Sequence, residues 1–224
     1  MTGPNPTVPE ERGPTAMGIV TVSRQYGAGG LTVAAALATA LGYRFADRDI
    51  VDRAAATVGL DPDLADNLDE RVPALVEKMG LALAAASPEF ALVAPPATDD
   101  RLLADEVRRV LESMAAAGGF VVLGRGGQAA LRDRPDAVHL QLVADEGDRA
   151  ARIMRSQGVS EAEARDACRR VDAERAGYVR RFYGVDIADP LLYDAVLNTS
   201  RLGTDGAASI GAAVVRRRLS SGPR

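Results

Sequence analysis

Residues 19–32 of the chain read IVTVSRQYGAGGLT, and this stretch predicts the fold. Ile19-Val20-Thr21-Val22 is a short β-branched run, which is typical of a buried strand. Glycines in segment 27–30 interrupt it, and the Ala- and Leu-rich segment 31–41 favours a helix that ends at Gly42. A strand, a glycine turn and a helix in this order let several main-chain N–H groups point at one anion. The stretch therefore predicts a phosphate-binding loop.

The loop departs from the P-loop consensus G-x-x-x-x-G-K-[ST] at three positions. Arg24 stands where the first glycine belongs and Gly30 where the lysine belongs. Leu31 replaces the magnesium-binding hydroxyl residue, and Thr32 follows one position late. A glycine turn that only packs the strand against the helix is the alternative to a phosphate site.

Composition excludes several other classes of protein. The chain has 224 residues, 47% of them hydrophobic and 26% charged, which is the balance of a folded domain. A net charge of −4 disfavours nucleic-acid binding as the main role, and no apolar run is long enough for a membrane span or an export signal. The chain has one cysteine and one histidine, which excludes an internal disulfide and disfavours a histidine-rich metal site or a Ser/His/Asp triad. We therefore expect a cytoplasmic protein without nucleic-acid or membrane partners.

Arginine dominates the basic residues. The chain contains 26 arginines and one lysine, Lys78. Any bound phosphate must then be held by guanidinium groups and main-chain amides.

Alternating strands and helices predict the α/β class, with a mostly parallel sheet, helices on both faces and ligands at the carboxyl ends of the strands. After the first strand and helix, strands are predicted at 43–46, 120–123, 137–143 and 193–197. The predicted helices cover 50–58, 61–68, 72–86, 99–117, 145–156, 160–182 and 205–219. We expect a disordered tail over residues 1–17 and one domain over 18–220.

Four segments together resemble the cytidylate kinase-like family, a branch of the nucleoside monophosphate kinases within the P-loop superfamily. These segments are 21–30, 41–50, 124–127 and 189–202. The resemblance implies a three-layer P-loop kinase fold with a helical acceptor-binding insert near 47–98 and an arginine-rich lid near 152–185. It also implies transfer of the ATP γ-phosphoryl to a nucleoside monophosphate, CMP or dCMP, with Mg²⁺ as cofactor.

On the donor side, the resemblance implies that the loop wraps the ATP phosphates and that Thr32 supplies the hydroxyl for Mg²⁺. The loop residues are Tyr26, Gly27, Ala28, Gly29, Gly30, Leu31 and Thr32. True kinases of this group carry lysine at the position of Gly30. Arg24 is our candidate substitute for that lysine.

On the acceptor side, the resemblance implies a segment that begins at Asp47 and Arg48, with an arginine for the acceptor phosphate at Arg53. Arg125, between glycines after a strand, is the second predicted phosphate ligand. The alternative for Arg53 is a solvated helix face.

The predicted lid carries many arginines, of which Arg152, Arg155 and Arg175 are the candidates for clamping phosphates. Asp172 lies three residues before Arg175, as in a lid pair of the family, while Cys168 replaces a family arginine. Most other arginines there are expected to pair with acidic residues on a solvated helix.

Three functions remain open at this point. The first is the nucleotide kinase, whose partners are small-molecule nucleotides. The second is a nucleotide-binding regulatory protein with weak or no kinase activity because the loop lysine is absent. The third is a kinase of another small molecule. The oligomeric state is also open, with a homodimer among the alternatives.

Overall fold

The computed structural model describes residues 17–47 and 100–221. The expected N-terminal tail, apart from Met17, and the helices expected over 50–86 lie outside the described residues, as do Arg48 and Arg53. The strands are β1 (Ile19–Arg24), β2 (Arg44–Ala46), β3 (Phe120–Leu123), β4 (Ala137–Val143) and β5 (Ala195–Asn198). The α-helices are α1 (Gly30–Leu41), α2 (Asp100–Ala117), α3 (Gly127–Ala130), α4 (Glu146–Gln157), α5 (Glu161–Tyr183) and α6 (Thr199–Ser220).

The five strands form one parallel sheet in the order β2-β3-β1-β4-β5. β1 is central, and its register pairs Val22 with Leu123 of β3 and Arg24 with Leu142 of β4. The carboxyl ends of β1, β3 and β4 therefore meet beside the glycine loop, where ligands bind in open parallel sheets.

Helices cover both faces of the sheet, so the expected α/β layered architecture is confirmed. Ile19, Phe120 and Val122 pack into one buried cluster, which α2 and the end of α3 complete. Val20, Val22 and Val121 point to the other face and pack against α1 and α6. Successive strand residues thus point into two different buried cores on opposite faces of the sheet, which explains why the strands are continuous apolar runs.

Helices α4 and α5 form a hairpin with a small core of its own. Ala150, Ile153, Ala164 and Cys168 are buried in it, and Tyr26 of the glycine loop packs against them. Ser160 caps α5 in a reciprocal capping box with Glu163, as the sequence suggests. The hairpin is thereby joined to the loop through a side chain of the loop itself.

Two predicted boundaries near the chain end are wrong. The last strand is shifted to Ala195–Asn198, and a short 3₁₀ turn at Pro190–Leu192 precedes it. The last helix begins at Thr199 instead of residue 205, because the Asn198 side chain accepts hydrogen bonds from the N–H groups of Ser200 and Arg201. A kink at Gly203, with φ of 68°, interrupts the helical pattern that the sequence shows.

Candidate functional site

The glycine loop connects the carboxyl end of β1 to the N-terminus of α1. Gly27 and Gly29 both have φ of 78°, in the left-handed region where a side chain is strained. No side chain caps α1 at Gly29. The first-turn N–H groups of α1 have no helical partner, and the helix dipole adds positive potential there. This arrangement suits an anion.

Side chains from α4, α5 and α6 bind the main-chain carbonyls of the loop. Four of them donate hydrogen bonds at 2.9–3.2 Å: Arg175 to the carbonyl of Arg24, Arg149 to that of Tyr26, Arg152 to that of Gly27, and Thr199 to that of Ala28. In a trans peptide the N–H points away from the C=O. Holding the carbonyls of Tyr26, Gly27 and Ala28 therefore turns the N–H groups of Gly27 and Gly29 to the opposite side, while the Ala28 N–H between them donates to the Gln25 carbonyl at 3.2 Å.

Asp172 binds the loop together with Arg149. Its Oδ1 accepts the main-chain N–H of Tyr26 at 2.7 Å, and its Oδ2 accepts Arg149 Nη1 at 2.6 Å. Arg175, the expected lid partner of Asp172, is farther away at 3.9 Å. Because the Tyr26 amide donates to Asp172 and the Ala28 amide to the Gln25 carbonyl, the amides that can meet a phosphate are those of Gly27, Gly29 and the first turn of α1.

Arg149 is a site residue that sequence reasoning missed. Its side chain is only 11% exposed, whereas the arginines that pair with acids along α5 are 37–68% exposed. Those exposed pairs, Arg165 with Glu161, Arg169 with Asp166 and Arg170 with Glu174, are the ones expected on a solvated helix. The sequence does contain a signal for Arg149: its spacing from Arg152 and Ile153 places all three residues on one face of α4.

Arg24 and Gly30 are packed against each other. A Cβ placed on Gly30 would lie 2.7 Å from Arg24 Cγ, closer than real Cβ atoms approach a neighbour. The Arg24 guanidinium continues to Gly124, where a Cβ would also collide with it. The stem of Arg24 thus excludes a lysine at position 30, and its charge lies beside the loop that follows β3.

A cavity of about 250 Å³ adjoins the glycine loop at the carboxyl ends of β1 and β3. Its lining includes three arginines, Arg24, Arg125 and Arg175, against one acid, Glu174, which pairs with Arg170. Helix α5 also supplies Val171 and Tyr178. The cavity therefore combines positive charge with apolar and aromatic surface, as small-molecule sites do.

Arg125 has an unusual backbone. Among the described residues it is the one non-glycine residue with positive φ, at 55°. Tyr183 supports this conformation by donating its hydroxyl to the Arg125 carbonyl at 3.4 Å, and burial raises the pKa of that phenol above its usual value. Strained positions of this kind concentrate at functional sites.

The remaining predicted residues are less involved in these contacts. Arg155 is exposed on α4, while Leu31 and Thr32 are exposed in the first turn of α1. Asp47 follows β2 and is half-buried. Tyr26 packs on the hairpin core and receives a hydrogen bond from Gln157, so its ring covers the turn.

Acidic metal ligands are not clustered in the part of the chain that the structure describes, where no three His, Cys, Asp or Glu side chains could hold one ion. Magnesium often binds through few protein ligands plus substrate phosphates and water. The exposed Thr32 hydroxyl beside the open amides fits that mode. Burial raises the pKa of Cys168, whose thiol faces the Tyr26 carbonyl, so this cysteine is not an activated nucleophile. Among the described helices, none is long and apolar enough to cross a bilayer.

Comparison with known proteins agrees with this architecture. The chain is 31% identical over 196 residues to a cytidylate kinase from Ignicoccus hospitalis, covering 84% of this chain and 94% of that protein. An uncharacterized protein from Eubacterium ventriosum has a similar solved structure, with a TM-score of 0.65, 18% identity, and coverage of 89% of this chain and 98% of the other. The profile of the cytidylate kinase-like family matches residues 19–201, and the chain belongs to that family.

Proposed function

We propose that this chain is a phosphotransferase that moves the ATP γ-phosphoryl to a nucleoside monophosphate, CMP or dCMP, in the presence of Mg²⁺. The observation that supports this proposal most is that two candidate phosphate sites lie side by side at the carboxyl edge of the sheet. The glycine loop has its carbonyls bound from behind, and an arginine-lined cavity lies directly beside it. A donor phosphate on the loop would face an acceptor phosphate in the cavity.

Positioning and electrostatics would account for catalysis, because phosphoryl transfer needs little covalent chemistry from the protein. The amide of Gly27 and those from Gly29 to Thr32 would bind the donor phosphates. Arg24 and Arg125 would hold the acceptor phosphate and neutralise charge that develops between the two substrates. Magnesium would be held by nucleotide oxygens with the Thr32 hydroxyl, and it would neutralise phosphate charge.

In this proposal Arg149, Arg152 and Arg175 act through the loop and not as direct clamps on phosphate. Each donates to a loop carbonyl within 3.2 Å, so each fixes where neighbouring amides point. Asp172 offsets the charge of Arg149, so Arg152 and Arg175 supply the net positive charge of this group next to the loop, and that charge would replace part of what a lysine at position 30 would supply. Arg155, Arg48, Arg53 and Asp47 stay candidates for contacts with substrate.

A coupled assay of ADP release with CMP, dCMP, UMP, AMP and GMP tests the proposal. We expect turnover with CMP or dCMP above the ATP-only rate. Turnover with another small phosphorylated or hydroxyl compound would instead favour the kinase of a different acceptor. ADP release at the ATP-only rate with every acceptor would refute the transferase.

A nucleotide-binding protein with little or no turnover is the second candidate. The observation in its favour is the packing of the Arg24 stem on Gly30, which leaves no room for the lysine of active relatives. Tight ATP binding by calorimetry together with absent ADP release would select this candidate.

A further inference from the structure

Gln128 has a buried amide that the described residues satisfy only in part. It lies in α3, three residues after Arg125, and only 1% of it is exposed. Its Nε2 makes no well-formed hydrogen bond within residues 17–47 and 100–221, where the Tyr193 hydroxyl oxygen is its neighbouring acceptor. The residue lines the 250 Å³ cavity beside the glycine loop. An unmet donor in a buried position is costly, and such groups concentrate where a ligand completes them.

The polar groups next to Gln128 can take at most one of its two amide N–H groups. Tyr193 is the neighbouring phenol: its hydroxyl donates to the Ile187 carbonyl at 2.8 Å, and its oxygen can accept one N–H of Gln128. Gln141 donates its own amide to the same carbonyl at 3.2 Å. That carbonyl already accepts two hydrogen bonds, so it offers little to a third donor.

The opposite wall of the cavity suits a flat ring. Tyr178 of α5 lines it, and the Arg125 guanidinium lies 5.8 Å from the centre of that ring. Val171 and Val179 add apolar surface. A phosphorylated ligand could place its phosphate at the arginines while an uncharged ring sits between Gln128 and α5.

We infer that Gln128 is a specificity-determining residue that donates a hydrogen bond to an unprotonated ring nitrogen of the acceptor nucleobase. This inference rests on the proposed function, since it assigns the same cavity to the acceptor. Cytosine presents a ring nitrogen and a carbonyl as adjacent acceptors. Uracil presents an N–H at that ring position, which opposes a donor.

The experiment measures binding of CMP and of ribose 5-phosphate by calorimetry, without ATP, to wild type and to Gln128→Leu. Loss of the hydrogen bond should weaken CMP about tenfold or more and leave ribose 5-phosphate unchanged. The melting temperature without ligand should change little, because the variant loses the interaction with Tyr193 and also removes a buried N–H that is unmet. Gln128→Met is a second variant of similar volume in case leucine packs poorly. Gln141→Leu is the matched control, since Gln141 does not line the cavity and its amide already donates to the Ile187 carbonyl, so its CMP affinity should match that of wild type.

Unchanged CMP affinity in both Gln128 variants would overturn the inference. An equal loss for CMP and ribose 5-phosphate would also overturn it, because the amide would then contact the phosphate or ribose. Absence of CMP binding to wild type would do the same. A different result would refute the proposed function alone. If CMP binds in a way that depends on Gln128 but no ADP is released with ATP, the inference about Gln128 holds and the kinase activity is refuted.

Discussion

At the scale of single residues, Arg24 and Gly30 depend on each other. Gly30 has an ordinary helical backbone, and the three nearest atoms that a Cβ there would meet among the described residues all belong to the Arg24 stem. We expect Gly30→Lys alone to destabilise the fold by about 1–3 kcal/mol, because it overfills that space. In a protein that also carries Arg24→Ala, the Gly30→Lys substitution should lower the free energy of unfolding by clearly less.

Urea unfolding of the two single variants and the double variant measures this coupling as a double-mutant cycle. Simple additivity of the two costs would contradict the packing argument. ADP release by the double variant then shows whether a restored lysine can replace the arginine.

Arg149 provides a second prediction at this scale. Its ion pair with Asp172 is 2.6 Å long, and the two side chains are 11% and 27% exposed. Arg149→Met should destabilise the protein by about 2–3 kcal/mol, since it leaves a carboxylate with less compensation and frees the Tyr26 carbonyl. It should also weaken ATP binding because the loop amides lose their orientation.

Arg170→Met is the control for this change. Arg170 pairs with Glu174 on the solvated face of α5, where both side chains are at least 60% exposed, so its loss should leave stability and ATP affinity near wild type. Chemical unfolding and ATP calorimetry on both variants give the comparison. Equal behaviour of the two variants would mean that Arg149 does not support the loop.

At the scale of elements, the contact between α4 and the loop explains why position 27 is glycine. A Cβ on Gly27 would lie 2.7 Å from the main-chain oxygen of Arg149 in α4. Gly27→Ala should therefore cost about 2–4 kcal/mol, from the left-handed backbone and from displacement of the helix. Measured ATP affinity should fall with it.

Gly158→Ala isolates the helix contact from the backbone strain. Gly158 ends α4 with φ of 69°, but a Cβ there meets nothing within 4 Å. Its cost should be about 1 kcal/mol, with ATP affinity kept. If both alanine variants lose the same unfolding free energy, α4 does not rest on the loop as described.

Sequence patterns predict elements well where local physics decides them. The apolar run of β4 gives its bounds as 137–143, and Ser160 with Glu163 marks the start of α5. The predicted start of α6 is wrong because Asn198 caps the helix at Thr199 and the kink at Gly203 soon interrupts the helical periodicity. A side chain that caps a helix before a kink leaves no periodic signal.

At the scale of the whole molecule, the site depends on contacts between distant segments. The glycine loop was predictable because strand, glycines and helix are adjacent in sequence. Arg149 donates to a carbonyl 123 residues away, and Thr199 to one 171 residues away. Spacing within α4 indicates which arginines share a face, but only the packing of the hairpin on the loop determines which face is buried.

The free energy of unfolding should depend on pH through His139, which is the one histidine of the chain. His139 lies in β4, 7% exposed, with Nδ1 2.7 Å from the Thr21 hydroxyl. Burial lowers the pKa of His139, and Asp194 and Arg218 beside it act in opposite directions. The unfolded chain therefore binds a proton near pH 6.5 that the folded chain resists.

Stability should consequently be full above about pH 6.5 and should fall below it, towards the lower pKa of the folded state, by at most about 1.4 kcal/mol per pH unit. His139→Gln removes the titrating group, so its unfolding free energy should depend less on pH between 7.5 and 5.5. The Arg134 guanidinium lowers the pKa of Asp136, whose contribution falls in a more acidic range and does not enter this window. Urea unfolding at several pH values measures both proteins, and parallel pH curves would show that His139 is not the group whose burial sets the acid limit of the fold.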